Sequence, residues 1–224
     1  MVTASTDGRV NFWSLANLRD PADTVQVADS VSTCTVIEAA ERLMVGDDHG
    51  NLYSMPTSGR KKVKKYQSST EEGESLGHYG LVSAIAMQHK GRGLMATAGV
   101  DWTVKLWTAS QETPIWSWTS HSYDYMTDVQ WSPVHSTLLA TTSSSGTVSF
   151  WNFAASLDEP QETVAIDSTG GLNKLRWSLD GRRLAVAASE QVHVLSLPEE
   201  VVRGKDQDEQ QFTKELLARG MLKD

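Results

Sequence analysis

His121-Ser122-Tyr123-Asp124 sets the residue types of a nucleophilic triad in four consecutive positions. Adjacency along a chain is not triad geometry. Nucleophile, base and orienting acid must meet side by side, within roughly 3 Å of one another. The six histidines (49, 78, 89, 121, 135 and 193) are scattered, with no His-Glu-x-x-His or paired-Cys spacing to hold a metal. No Gly-x4-Gly-Lys-Ser/Thr loop is present to cradle a phosphate. Gly91-Arg92-Gly93 is too short for one and reads as a hairpin turn. These types and spacings predict no catalytic residue, no metal and no cofactor.

What the chain does carry is a repeated turn and strand. Its clearest copy is Gly99-Val100-Asp101-Trp102-Thr103-Val104-Lys105-Leu106-Trp107. A turn at Asp101 precedes five residues that suit a pleated, buried surface. Degraded copies end at Trp13, Met55, Trp151 and Leu195, so the anchor positions stand 42, 52, 44 and 44 residues apart. A four-stranded propeller blade takes roughly 40–45 residues. Short apolar runs precede each later turn: Arg42–Val45, Gly93–Thr97, Leu138–Thr142 and Arg183–Ala187. They read as second strands, packed on both faces and therefore apolar throughout. Thr35–Glu38, Val82–Met87, Thr127–Pro133 and Lys174–Ser178 read as innermost strands. Thr24–Val27, Lys64–Tyr66, Pro114–Trp118 and Thr163–Ile166 read as outermost ones. The pattern predicts an all-β fold, an incomplete β-propeller of about five blades. The first blade lacks its inner strand and the last stops after its third.

Composition bounds the partners. Eight Trp in 224 residues imply many packed positions. The formal net charge of -8 argues against nucleic acid, which wants a basic face. One cysteine, Cys34, rules out a disulfide within the chain and fits a reducing compartment. No apolar run approaches the ~18 residues of a membrane span.

The 52-residue interval holds an insertion: a basic run with Arg60, Lys61, Lys62, Lys64 and Lys65, then an acidic, polar stretch from Ser68 to Ser75. The basic run reads either as a solvated edge strand or as a dock for an acidic surface. Residues 1–198 are expected to form the partial propeller, and 199–224 a charged tail. Within the tail Phe212, Leu216 and Leu217 fall at helical spacing, predicting a short amphipathic helix from Gln210 to Arg219 with Gly220 as its stop. That helix either packs back on the sheets or docks on a partner.

The repeats resemble the WD-repeat family. The likeness is sharpest in the third repeat, where Gly77-His78 precedes the inner strand, Thr97 lies in the second strand, Asp101 in the turn, and Trp107 ends the third strand. The resemblance implies that His78, Thr97, Asp101 and Trp107 form a buried, hydrogen-bonded structural set. A buried Trp N–H, a His and a hydroxyl each need partners, and an Asp at the turn anchors the series. The first repeat keeps Thr3, Asp7 and Trp13, and the fourth keeps Thr141 and Trp151 with Ser145 at the Asp position.

Within that family the text is most similar to dynein intermediate chains, through Asp101–Thr108, Val2–Gly8 with Phe12–Leu15, Asp128–Pro133, Phe150–Asn152 and Leu172–Trp177. The resemblance implies a non-catalytic scaffold subunit of a cytoplasmic, microtubule-associated motor complex, its propeller binding the dynein heavy chain. Light chains and dynactin are expected to bind an N-terminal region that this sequence does not contain. A family propeller has about seven blades, so the chain reads as a fragment. The alternative is a generic WD-repeat adaptor, such as a ubiquitin-ligase receptor or a trafficking scaffold. Trp102 stands where a generic blade has Gly, a position that often requires φ > 0. It is expected either to anchor a partner or to cap its own blade.

Overall fold

The computed structural model describes residues 1–37, 41–66, 76–166, 170–205 and 207–222. Its strands fall into five antiparallel sheets, each in simple up-and-down order. The first sheet holds β1 (Val2–Ala4), β2 (Arg9–Phe12) and β3 (Asp23–Gln26). The second holds β4 (Thr33–Ile37), β5 (Arg42–Gly46), β6 (Leu52–Pro56) and β7 (Lys64–Lys65). The third holds β8 (Val82–Met87), β9 (Met95–Gly99), β10 (Thr103–Trp107) and β11 (Trp116–Thr119). The fourth holds β12 (Met126–Trp131), β13 (Leu138–Ser143), β14 (Thr147–Asn152) and β15 (Glu162–Ala165). The fifth holds β16 (Leu172–Trp177), β17 (Arg183–Ala188) and β18 (Val192–Ser196). Two helices follow, α1 (Glu199–Arg203) and α2 (Asp208–Ala218).

The sheets are the blades of an incomplete β-propeller. The inner strands β4, β8, β12 and β16 lie side by side in chain order. Every residue of β9 and β13 is buried, as strands covered on both faces should be. Three blades begin alike: the pairing of the inner strand slips by one residue at Ser83, Thr127 and Asn173. Such a bulge turns its residue out of the ladder and adds twist. At the first of them Ser83 Oγ donates to the Met126 carbonyl of the next blade at 2.6 Å, and Ser32 makes the same kind of bond to Val82 at 2.7 Å.

Strand edges differ from the sequence expectation in places with local causes. The second strand of the third blade runs Met95–Gly99, two residues later than Gly93–Thr97. Gln88 Oε1 accepts the Leu94 amide and holds that residue in the hairpin loop. The outer strand starts at Trp116, not Pro114. The basic run is not one edge strand: only Lys64 and Lys65 pair with β6, and Arg60, Lys61 and Lys62 belong to the loop before them. The acidic stretch of that insertion, 67–75, lies outside the described residues.

Helix α2 starts two residues earlier than Gln210 and ends one before Arg219; α1 was not anticipated. Gly220, at φ +67°, ends α2: its amide donates to the Leu217 carbonyl and the Met221 amide to that of Leu216. These are the two bonds of a Schellman stop. Phe212 and Leu216 are buried, and the Phe212 ring stacks on Phe153 at 5.2 Å between centroids. They complete a cluster with Trp116, Trp131, Trp151 and Leu157. Leu217 is exposed. The helix therefore packs back on the blades.

Candidate interaction site

The third blade brings together the four residues singled out in the sequence. The indole N–H of Trp107 donates to Thr97 Oγ1 at 2.8 Å, and Thr97 Oγ1 lies 2.7 Å from His78 Nε2. His78 Nδ1 lies 2.9 Å from Asp101 Oδ1. The series has one consistent direction: Trp107 to Thr97, Thr97 hydroxyl to Nε2, and Nδ1–H to the carboxylate. That fixes His78 as the neutral Nδ1–H tautomer. Asp101 also accepts the Tyr79 amide at 2.8 Å and the Thr103 hydroxyl at 2.8 Å. Burial pushes the His78 imidazolium pKa below its usual value, against the pull of Asp101. Burial works to raise the Asp101 pKa, but hydrogen bonds from His78, Tyr79 and Thr103 hold it below the carboxylate range.

Gly99 lies against this set. A Cβ there would meet His78 Nδ1 at 2.4 Å and Asp101 Oδ1 at 2.6 Å. Gly99→Ala is expected to lower stability by about 1–3 kcal/mol, read as a shifted urea midpoint. Stability should also fall with pH. Unfolded histidine titrates near pH 6.5, while His78 and His135, both buried, hold lowered values. The unfolded chain therefore takes up protons first, and stability present above pH 6.5 is lost below it. Urea midpoints at pH 7 and 5 should differ less in the double variant His78→Gln, His135→Gln.

Other blades use parts of the same device. Trp13 donates to Thr3 at 2.8 Å and Trp151 to Thr141 at 3.3 Å. In the fourth blade the acid has moved: Asp124, in the loop before β12, accepts both Ser122 and Ser145 hydroxyls at 2.7 Å. This accounts for the Ser122-Tyr123-Asp124 run; the His121 ring packs on Trp118 and no bond to Ser122 is formed among the described residues. Two carboxylates escaped notice in the sequence. Asp47 accepts from the His49 amide, the Asn51 amide and side chain, and the Tyr53 hydroxyl. Asp47, Asp48 and His49 come within 4.8 Å, but the Asp47 oxygens are occupied by these donors. Asp128 is buried and reaches the next blade, accepting the Leu175 amide at 3.0 Å and lying 3.4 Å from Arg176. Nothing local marks it, since Thr127 and Gln130 of the same strand are polar as well.

Trp102 has φ +67°. The matching position, five residues before each anchor, is Gly8, Gly50 and Gly146 in other blades, at φ +82°, +87° and +91°. Trp102 is 37% exposed, and its ring meets Tyr123 edge-on at 5.1 Å. Tyr123 is itself at φ +56°. The basic residues do not gather into one patch. Lys64 pairs with Glu112 at 2.6 Å, Lys61 lies over Phe12, Lys65 over Tyr53, and Arg60 and Lys62 have no ion-pair partner among the described residues.

Comparison with known proteins agrees with this architecture. The family model "WD domain, G-beta repeat" matches residues 70–108 and 112–152. The chain is 27% identical over 199 residues to the cytoplasmic dynein 1 intermediate chain of Drosophila melanogaster, covering 83% of this chain and 29% of that protein. It is 26% identical over 175 residues to the human dynein axonemal intermediate chain 2, covering 73% of this chain and 28% of that one. The chain thus spans under a third of the length of these relatives. Two of its blades match the WD-repeat model, and over most of its length the chain is similar to the intermediate chains of dynein.

Proposed function

We propose that this chain is a non-catalytic scaffold subunit of a dynein motor complex, in the cytoplasm on microtubules, whose propeller binds the heavy chain. The similarity to two dynein intermediate chains across 73–83% of the chain carries this reading. The geometry supports it: the polar clusters are occupied by structural hydrogen bonds, while large aromatics stand exposed at one rim. His78, Thr97, Asp101 and Trp107 hold the third blade, and Trp102 is the partner anchor. Arg60, Lys61, Lys62, Lys64 and Lys65 supply a secondary, salt-sensitive contact. Light chains and dynactin belong to segments of the complex beyond the propeller.

The test is co-expression of the tagged chain with a dynein heavy chain. Co-purification at stoichiometric levels is expected. Recovery with a ubiquitin ligase or a trafficking coat and without heavy chain would favour the generic adaptor instead.

A further inference from the structure

We propose that the rim carrying Trp102 is a docking surface for a basic, apolar segment of the partner, with an Arg or Lys side chain seated against the Trp102–Tyr123 pair. This rests on the reading of Trp102 as the partner anchor and adds the chemistry of what it binds.

Four exposed aromatics are found among the described residues: Tyr79 at 81%, Trp102 at 37%, Tyr123 at 68% and Tyr125 at 54%. All four lie at one end of the strands. That end carries the turns between second and third strands and the connections from each blade to the next. Backbone bonds tie these loops together: Val100 N–H to Leu81, Ser120 N–H to Trp102, and Ser144 N–H to Tyr125. Aromatics at such exposure cost solvation, and contiguous apolar patches mark interaction sites. Trp102 and Tyr123, which touch, are also two of the three non-glycine residues with positive φ among the described residues. Backbone held in that region costs about 1–3 kcal/mol and clusters at functional sites.

Charge selects the occupant. The described loop residues at this end are 5–8, 27–32, 47–51, 66, 76–81, 100–102, 120–125, 144–146, 166, 170–171 and 189–191. In sequence they contain none of the chain's 20 Lys and Arg, but they do contain Asp29, Asp48, Asp124 and Glu190. The loops of the opposite end mix both signs, with Arg60, Lys61, Lys62, Lys90, Arg92 and Arg182 set among Asp20, Glu41, Glu112, Asp158, Glu159 and Asp180. The aromatic end is thus the one whose described loops carry acids without any Lys or Arg. A ring face attracts a cation, most strongly for Trp, and a carboxylate beside it adds to the attraction. Asp124 stands next to Tyr123 in the same loop. A basic segment is steered to this end, where no cation of the described loops opposes it.

The experiment uses the 224-residue chain and two fluorescein-labelled 14-residue amphipathic peptides, one alternating Leu with Arg and Lys, the other with Glu at every basic position. Anisotropy at 50 and 300 mM salt reads the affinity. The basic peptide should bind and the acidic one should not. Trp102→Gly with Tyr123→Ser should weaken binding at least tenfold while the melting temperature holds or rises, since glycine relieves positive φ. Asp124→Asn should weaken it several-fold with a shallower salt dependence. Neutral substitutions at Asp158 and Glu159, on the opposite end, should leave peptide binding unchanged. Equal binding of the basic peptide by the aromatic double variant, or equal binding of both peptides, overturns the proposal. Heavy-chain co-purification is read separately: wild-type chain failing to retain heavy chain sinks the subunit reading, whereas retention by the aromatic double variant sinks only this surface.

Discussion

Asp101→Ala is expected to lower stability by about 3 kcal/mol, which in a domain of this size is roughly a 6–12 °C drop in melting temperature. The cost comes from what is left behind. The His78 Nδ1–H, the Tyr79 amide and the Thr103 hydroxyl all donate to this carboxylate. His78 is 2% exposed, so its N–H has no water to turn to and is left with the Thr103 hydroxyl, 2.9 Å away. Each unsatisfied buried group costs about 1–3 kcal/mol, and relaxation of the Tyr79 loop recovers part of the sum. Asp101→Asn should cost less, because it keeps one acceptor oxygen while its amide faces the remaining donors. The double variant Asp101→Ala, His78→Phe should be less unstable than the two single costs added, because the members act as a unit. A loss below about 1 kcal/mol for Asp101→Ala in a urea melt would show that the set is decoration on a blade held by packing alone.

The same set shows why parts of this molecule were legible in its sequence. Strand periodicity, the recurring anchors at 13, 55, 107, 151 and 195, and the glycine register around Trp102 are local signals, and local signals survive in one dimension. The third-blade set was readable because His78, Thr97, Asp101 and Trp107 all keep their type. The fourth blade was not: the same job is done by Ser122, Asp124 and Ser145, with the acid moved from the turn to the preceding loop. Only folding brings residues 21 apart together there. Asp128 was equally silent, since its partner amide at Leu175 lies 47 residues on, in the next blade. The aromatic rim is a property of loop ends from different blades. Tyr79, Tyr123 and Tyr125 carry no mark in sequence that separates them from buried tyrosines.

Phe212→Ala is expected to cost about 3–5 kcal/mol, among the largest single-residue losses in the chain. Phe212 is 2% exposed and stacked on Phe153, which in turn packs on Trp116, Trp131 and Trp151. Removing the ring opens a cavity bounded by rigid aromatics and two sheets, which cannot collapse around it. Leu217, one residue beyond the buried Leu216 on the same helix, is the control. It is exposed, and Leu217→Ala should fall within about 0.5 kcal/mol of wild type. Ending the chain after Leu197 removes Phe212 and Leu216 together with the Arg219 fork onto Asp158 at 2.7 and 3.1 Å. The shortened chain should melt at lower temperature and bind a hydrophobic dye through the uncovered Phe153 and Leu157. If Phe212→Ala melts like wild type and the shortened chain binds no dye, α2 is detachable and its apolar face is free for a partner. The stacked rings and the Schellman stop argue for the first outcome: the apolar face of α2 is spent on the blades and is not free for a partner.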